Sequence, residues 1–302
     1  MLIKLSFLTD ADPLTVLALR MAFAFPVFFL SALYLNGKSE RRISLREWRT
    51  VLLFGFIGYY FSPLVNFAGL QYVSVGMERM LLYTYPTFVV IGGLVLFGQS
   101  VSRMTWVAVV LTYVGIVIAY SGELSLVGDR RSMASGAGLI LLSALTYSAF
   151  VLYSRAMIVE LGALRFTSTV LSVSCVFTFI HYAVFGEWDR LTTLPTQTYR
   201  YAILLAVFGT ILPSFLMGVG LRRAGSQRFA VITTIGPVAT VVLAWIFLGE
   251  VPNRLQVLGL VVTLSGGLLI GLSKGAGAAS RREASPPGQG ADGRPAVSAR
   301  PA

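Results

Sequence analysis

Two stretches of this sequence, 151 residues apart, share one plan: an apolar helix opened by a proline, a short turn and a second apolar helix. They span residues 86–120 and 237–271. Glycine and proline matches in register constrain the fold more than leucine matches, which any two apolar stretches would share. The sequence therefore predicts an internal duplication. The matched pairs are Pro86 and Pro237, Gly98 and Gly249, Thr112 and Thr263, Gly115 and Gly266, and, upstream at the same offset, Gly58 and Gly209.

The composition is that of a membrane protein. Of 302 residues, 56% are apolar and 12% charged, and the mean hydropathy is +0.76. A net charge of +11 would suggest nucleic-acid binding in a soluble protein. In a membrane protein we instead expect basic loops at the anionic cytoplasmic surface, and no nucleic-acid partner. The single cysteine, Cys175, excludes an intramolecular disulfide and a zinc cluster built on thiolates, and we predict no cofactor and no metal site.

The apolar segments predict an all-α membrane protein with ten transmembrane helices. The first, residues 1–9, lacks most of its N-terminal part when compared with its counterpart in the second copy, and we expect the true start codon to lie upstream. The other spans are expected at 13–35, 48–70, 74–97, 104–121, 136–158, 163–185, 199–221, 226–248 and 254–273. The predicted domains are a first repeat over 1–122, a second repeat over 135–273 and a disordered cytoplasmic tail over 274–302.

Five spans in each repeat is an odd number, so the two copies must enter the membrane with opposite orientations. With both termini in the cytoplasm, the inside segments hold sixteen Lys and Arg residues and the outside segments six. This excess agrees with the positive-inside rule. Inverted repeats are typical of secondary transporters, whose substrate site lies between the halves near the bilayer midplane.

Several motifs of both copies are those of a known family. The second copy has Pro237 and then LAWIFLGE at 243–250, and the first has LALRMAFA at 17–24 and GLQYVSVG at 69–76. These residues resemble the EamA domain of the drug/metabolite transporter superfamily. The resemblance implies a ten-helix inner-membrane carrier that exports or imports small metabolites, often amino acids or amphipathic compounds. Gln99 stands where the family has a glutamate.

Polar and aromatic residues at mid-depth in the spans are the candidates for substrate binding. Tyr83 and Tyr85 precede Pro86, which frees a backbone carbonyl at about residue 82 and kinks the helix. Aromatic packing between helices would explain these tyrosines equally well. The candidate substrate-binding residues are Tyr60, Asn66, Tyr83, Tyr85, Tyr147, Thr210 and Thr234, and the candidate kink or gating positions are Pro86, Pro213 and Pro237.

Glu78 is the candidate for coupling. An ionisable group inside a span could carry a proton or bind a cationic group. The alternative is that Glu78 and Arg79 lie at the outer interface and reach to water. For Arg20 we expect the same behaviour or a nearby carboxylate partner, and for Glu250 a structural role at the start of the next helix.

The sequence as a whole predicts a secondary transporter that moves a small organic metabolite, amino acid-like or amphipathic, across the cytoplasmic membrane. We expect efflux by alternating access, without direct use of ATP because no P-loop motif is present. The alternatives are a non-transporting membrane subunit or receptor, or a membrane-embedded lipid-modifying enzyme. The enzyme would need clustered acidic or histidine residues, yet the only histidine is His181. The spacing of Gly267 and Gly271 suits packing within the chain or in a homodimer.

Overall fold

The computed structural model describes residues 1–98, 100–124, 129–216 and 235–283, and in these ranges every regular element is a helix. The helices are α1 (Leu2–Phe7), α2 (Pro13–Gly37), α3 (Leu45–Leu70), α4 (Val75–Phe97), α5 (Arg103–Leu124), α6 (Arg130–Leu161), α7 (Ala163–Phe185), α8 (Trp188–Thr193), α9 (Thr196–Leu216), α10 (Ile235–Leu248) and α11 (Arg254–Glu283).

Seven of the described helices, α2 to α7 and α9, are long and apolar enough to cross a membrane. The apolar parts of α10 and α11 are shorter, Val238–Leu248 and Arg254–Leu269, and α1 has six residues. The all-α membrane class is therefore confirmed. The span predicted at 226–248 is seen only from Ile235 onward, and Gln99 and Thr234 lie outside the described residues.

Two helix boundaries differ from the prediction. The expected polar loop over 122–135 is shorter, because α6 begins at Arg130 and Asp129 caps its N-terminus. Hydrogen bonds from the side chain and backbone of Ser132, and from the backbone of Arg131, hold the pKa of Asp129 below its usual value. At the other end of the chain, α11 continues to Glu283, so residues 274–283 of the expected disordered tail are helical. Extending an existing helix avoids the cost of nucleation, and this segment contains alanine, a strong helix former.

Wider π-helical turns interrupt two of the spans. They cover Gly55–Phe61 in α3 and Val207–Ile211 in α9, and each is followed within two residues by a proline, Pro63 or Pro213. Proline cannot donate a backbone hydrogen bond and its ring crowds the preceding turn, which a wider turn accommodates. The two π segments are centred on glycines 151 residues apart in the sequence, Gly58 and Gly209.

Left-handed glycines end α4 and the α10 segment. Gly98 has φ +61° and Gly249 has φ +67°, a conformation that glycine adopts without the steric penalty of a Cβ. This pair is also 151 residues apart, so the matched glycines of the sequence hold matching conformations.

Helices α5 and α11 cross with their backbones in contact. A Cβ on Gly115 would lie 2.5 Å from the backbone nitrogen of Thr263, and a Cβ on Gly266 would lie 2.7 Å from that of Thr112. Residues 151 apart therefore exchange the same contact, Gly115 against Thr263 and Gly266 against Thr112. Close approach of this kind requires residues without side chains, as is common between membrane helices.

Polar contacts mark one end of the bundle, which we name the Arg165 end. Arg165, at the start of α7, donates three hydrogen bonds of 2.8 Å to the end of α2 and the loop after it. The acceptors are Asn36 Oδ1, Ser39 Oγ and the carbonyl oxygen of Arg41. The α2–α3 and α6–α7 connections therefore lie together. The opposite end, reached along α3, carries the turns at 71–74 and 249–253 and is named the Glu250 end.

Gly115→Ala and Gly266→Ala are each expected to destabilise the protein, because the added Cβ meets backbone atoms that cannot move aside. Overpacking of this kind costs about 1–3 kcal/mol. Gly138→Ala in α6 is the matched control, since nothing lies within 4 Å of a Cβ there. Thermal unfolding in detergent should show a lower midpoint for the first two variants only. Equal midpoints for all three would contradict the close crossing.

Candidate functional site

Helix α4 is broken in its middle. Its two parts are Val75–Leu82 and Tyr85–Phe97, and Pro86 is the second residue of the second part. The hydroxyl of the buried Thr84 donates to the carbonyl oxygen of Leu81 at 2.7 Å. A side chain within the break therefore satisfies a backbone carbonyl next to it. Backbone that departs from a helix at this depth is tolerated where it lies inside the protein.

Aromatic rings from three helices meet beside this break. Tyr85 of α4 contacts Tyr147 of α6 edge to face, with ring centroids 5.5 Å apart. Phe150 joins Tyr147 to Tyr59 of α3, at 5.8 and 5.0 Å. All three tyrosines are half-buried. We name Tyr59, Tyr85, Tyr147 and Phe150 the tyrosine cluster. Its rings offer both a flat apolar surface and hydroxyl groups, as a site for an amphipathic solute requires.

Tyr83, one residue before the buried Thr84, contacts a different helix from Tyr85. Its ring lies against α11, where a Cβ on Gly267 would come within 2.8 Å of Tyr83 Cε1. Gly267 therefore serves packing within the chain at this point, one of the two roles predicted for it. Tyr83 remains close to Tyr85 by sequence and shares the break with it.

Tyr60 lies apart from the tyrosine cluster. Its hydroxyl is 2.9 Å from His181 Nδ1 on α7, and its ring packs near Phe177. The neighbouring Tyr59 takes the position expected for Tyr60. Regular α-helical spacing does not distinguish the two residues, because both lie in the π segment Gly55–Phe61, which changes the helical phase.

Glu78 is buried within α4 rather than reaching to water. Its side chain is 2% exposed, and Asn66 of α3 donates a hydrogen bond of 3.2 Å to Oε1. Oε2 lies 3.1 Å from Arg79 Nε, but the alignment is too poor for a hydrogen bond, so neither atom has a hydrogen-bond partner among the described residues. Arg79 itself is 36% exposed. A carboxylate oxygen without a hydrogen bond inside a membrane helix is costly unless water or a ligand reaches it.

Arg20 of α2 is a half-buried charged residue that packs against α3. Its guanidinium carbon lies 5.0 Å from the ring centroid of Phe67, the residue after Asn66 in α3. Its Nε has no hydrogen-bond partner, and no carboxylate in the described ranges pairs with it. The expected partner is therefore not a carboxylate but an aromatic face, which attracts a cation through its quadrupole.

The remaining candidates lie in the second half of the chain. Thr210 is buried, and its hydroxyl approaches the carbonyl oxygen of Leu205 in its own helix at 3.5 Å. Pro213 is exposed and follows the π segment of α9. Pro237 belongs to the first turn of α10, and Thr234 lies outside the described residues. The structure therefore brings together Tyr85 and Tyr147, and separately Asn66 and Glu78.

Comparison with known proteins gives consistent matches. A model of the EamA-like transporter family matches residues 1–121 and 134–272. The uncharacterized transporter YcbK of Bacillus subtilis strain 168 is 29% identical over 273 residues, which cover 85% of this chain and 83% of the relative. The uncharacterized inner membrane transporter YedA of Escherichia coli K12 is 25% identical over 214 residues, covering 70% and 67%.

A solved structure, described only as the crystal structure of a protein, shares the fold. It superposes with a TM-score of 0.61 at 14% sequence identity and covers 93% of each chain. At this identity the likeness concerns the fold alone.

The bond between Asn66 and Glu78 is expected to stabilise the protein through Glu78. Asn66→Leu should lower the free energy of unfolding by about 0.6–2 kcal/mol, the range for polar contacts between membrane helices and for charged partners. In the Glu78→Met background the same substitution should cost much less, because no carboxylate is left unpaired. Denaturant unfolding of the four proteins measures this coupling. An equal cost in both backgrounds would contradict the hydrogen bond.

Proposed function

The chain belongs to the EamA-like transporter family and is a multi-pass membrane transporter, and from this premise we propose that it is a secondary carrier working by alternating access. Its cargo is a small organic metabolite, amino acid-like or amphipathic, and the direction is efflux. The family's description as transporters favours a carrier over the membrane-bound enzyme or the non-transporting subunit considered from the sequence.

The observation that carries this proposal is the buried carboxylate of Glu78 in a helix that breaks five residues later. Oε2 of Glu78 has no hydrogen-bond partner in the described part of the chain. A charged group inside a span costs free energy even with an ion-pair partner such as Arg79, and such groups commonly serve a bound solute or ion. Glu78 is accordingly the proposed coupling residue, and Asn66 sets the position of its other oxygen.

The chemistry of the tyrosine cluster supports an amphipathic cargo. Rings of Tyr85 and Tyr147 can hold an apolar body, and the negative face of an aromatic ring also attracts a cationic group. The proposed site contains Tyr59, Tyr83, Tyr85 and Tyr147, with Thr210 and Thr234 contributed by the second half. The side chain of Tyr60 contacts His181 and Phe177 of α7 instead, and we leave it out of the proposed site.

Three features support an architecture of ten helices in two inverted repeats, over 1–122 and 135–273. The π segments, the left-handed glycines and the reciprocal crossing of α5 with α11 each pair residues 151 apart. The family match also falls on two separate segments of the chain. In this architecture the α5–α11 crossing lies on the axis that relates the halves.

We place the Arg165 end and the C-terminus in the cytoplasm. The basic residues of the α2–α3 loop lie at this end together with Arg165, as the positive-inside rule expects of a cytoplasmic surface. Residue 1 lies with Lys4 at the Glu250 end, so the cytoplasmic N-terminus that we also propose depends on the upstream part of the first helix expected from the sequence. Outward movement of the cargo then means release at the Glu250 end. The prolines Pro86, Pro213 and Pro237 lie at helix breaks or first turns where a change of bend is least costly.

Efflux from proteoliposomes tests the proposal. Vesicles are loaded with a panel of ¹⁴C-labelled amino acids or with ethidium, and release is compared for the parent and Glu78→Gln. We expect the parent to release at least one solute, and Glu78→Gln to do so about tenfold more slowly or worse, the effect of losing roughly 1.4 kcal/mol of interaction. Glu40→Gln, in an exposed loop, is the control and should match the parent. Parent-like release and pH dependence in Glu78→Gln would remove Glu78 from the site.

A further inference from the structure

Two carboxylates from different parts of the chain hold the start of α4. Glu123, at the end of α5, accepts hydrogen bonds of 2.8 Å from the backbone nitrogen and from the hydroxyl of Ser74. Glu250, after the left-handed Gly249, accepts a hydrogen bond of 2.9 Å from the backbone nitrogen of Val75. The first amides of a helix lack partners within it and carry partial positive charge, so anionic oxygens bind them well. The predicted structural role of Glu250 is thus at α4 rather than at the following helix.

Further bonds join these carboxylates to two more helices. Lys4 of α1 donates to Glu250 Oε1 at 2.7 Å and to the carbonyl oxygen of Val73 at 2.8 Å. Gln256 of α11 donates to Glu123, which is 2% exposed. We name Lys4, Ser74, Val75, Glu123, Glu250 and Gln256 the carboxylate clamp. The Lys4 and Glu250 side chains are each about one quarter exposed, so the ion pair alone contributes little to stability. Its contribution comes through the set of hydrogen bonds that the two side chains make together.

The two carboxylates differ in what they connect. Glu123 and Gln256 belong to α5 and α11. The backbones of these two helices are in close contact at Gly115 and Gly266, which leaves little space for one helix to shift along the other. Glu250 instead connects the end of the α10 segment to α4. The packing of α4 on α10 is looser, since a Cβ on Gly76 would be 3.6 Å from Val241 Cγ2, an ordinary contact distance. Glu250 therefore holds a junction that is less tightly packed than the α5–α11 crossing.

A half-open cavity lies at this junction. Its volume is about 350 Å³, and residues of α4, α10 and α11 line it together with the clamp. Met80 and Leu260 mark its depth, and both are buried. A cavity that begins at the clamp and enters the bundle beside α4 is placed to be one end of a solute passage.

The other end of the bundle has no matching set of acids in its sequence. At the offset of 151 residues, Gln99 corresponds to Glu250 and Lys274 corresponds to Glu123. An amide and an ammonium group in place of two carboxylates cannot repeat the same charge-assisted bonds to helix amides. The positions of the Arg165 end that correspond to Glu250 and Glu123 therefore lack the carboxylates that hold the start of α4.

From this asymmetry we propose that the carboxylate clamp is the gate of the Glu250 end, with Glu250 as the bond that releases. Release of Glu250 lets α4 separate from α10 and extends the half-open cavity past the buried Met80. The inference rests on the alternating-access function proposed above. Glu250 acts on the passage as a positioning residue, through its hydrogen bond to the start of α4. Removing the hydrogen bond between Glu250 and Val75 shifts the solute-free protein toward the state that is open at the Glu250 end.

Accessibility of a cysteine at Met80 measures the gate directly. Met80→Cys is made in the parent, in Glu250→Ala and in Lys4→Met, and modification by a maleimide is followed by mass spectrometry in purified protein without solute. We expect the modification rate to rise about tenfold in both variants, the population shift that one charge-assisted hydrogen bond supports. The matched control Glu40→Ala, at the opposite end, should leave the rate unchanged.

Native Cys175 distinguishes gate opening from unfolding. It is fully buried in α7 against Met21, so it should stay unmodified in every variant that keeps its fold. Equal rates at Met80→Cys in parent and variants, with Cys175 protected, would overturn the gate. Modification of both cysteines in Glu250→Ala would mean unfolding, and Lys4→Met then decides the matter.

A cross-link separates this proposal from the transport proposal. Gly76→Cys with Val241→Cys, joined by oxidation, should abolish release from proteoliposomes, and reduction should restore it. Release at the parent rate by the cross-linked protein would overturn the gate. A parent that releases no solute, while Met80→Cys still responds to Glu250→Ala, would contradict the proposed function and leave the gate standing.

Discussion

The contact on which the rest of this structure depends is the crossing of α5 and α11. Membrane helices gain little from burying apolar surface against one another, because lipid is equally apolar, so close packing through small residues holds them. At this crossing Gly115 faces Thr263 and Gly266 faces Thr112. A reciprocal contact between equivalent residues is what a two-fold axis produces. The proposed two halves share this fixed point, while the looser contact of α4 with α10 leaves a junction that can change.

Polar groups inside the bundle connect this architecture with transport. Each must find a partner in a medium without water, and most do so within their own helix or across to the next. Glu78 and Arg20 keep atoms without hydrogen bonds among the described residues, on helices on either side of α3. In the proposed carrier Glu78 serves coupling and the tyrosine cluster binds the cargo. Glu250 shows the opposite behaviour, since both its oxygens accept hydrogen bonds. In the proposed gate these bonds keep α4 against α10.

The sequence was most informative where a residue type favours one particular backbone conformation. Gly98 and Gly249 were matched as turn glycines, and both have positive φ. It was less informative where side-chain direction decides the outcome. The π segment over Gly55–Phe61 alters the helical phase, and Tyr59 rather than Tyr60 reaches Tyr147. Contacts between distant segments, such as Glu250 with Val75, have no local signal and could not be found from spacing alone.

The central claim is that the two halves cross the membrane in opposite directions. Single cysteines at Glu40 and Thr192, both exposed and near equivalent positions of the two copies, test it most directly, with the buried Cys175 replaced by serine. Intact cells are treated with a membrane-impermeant thiol reagent before and after lysis. The account predicts that Thr192→Cys reacts in intact cells and Glu40→Cys only after lysis. Reaction of both from the same side would contradict the inverted architecture.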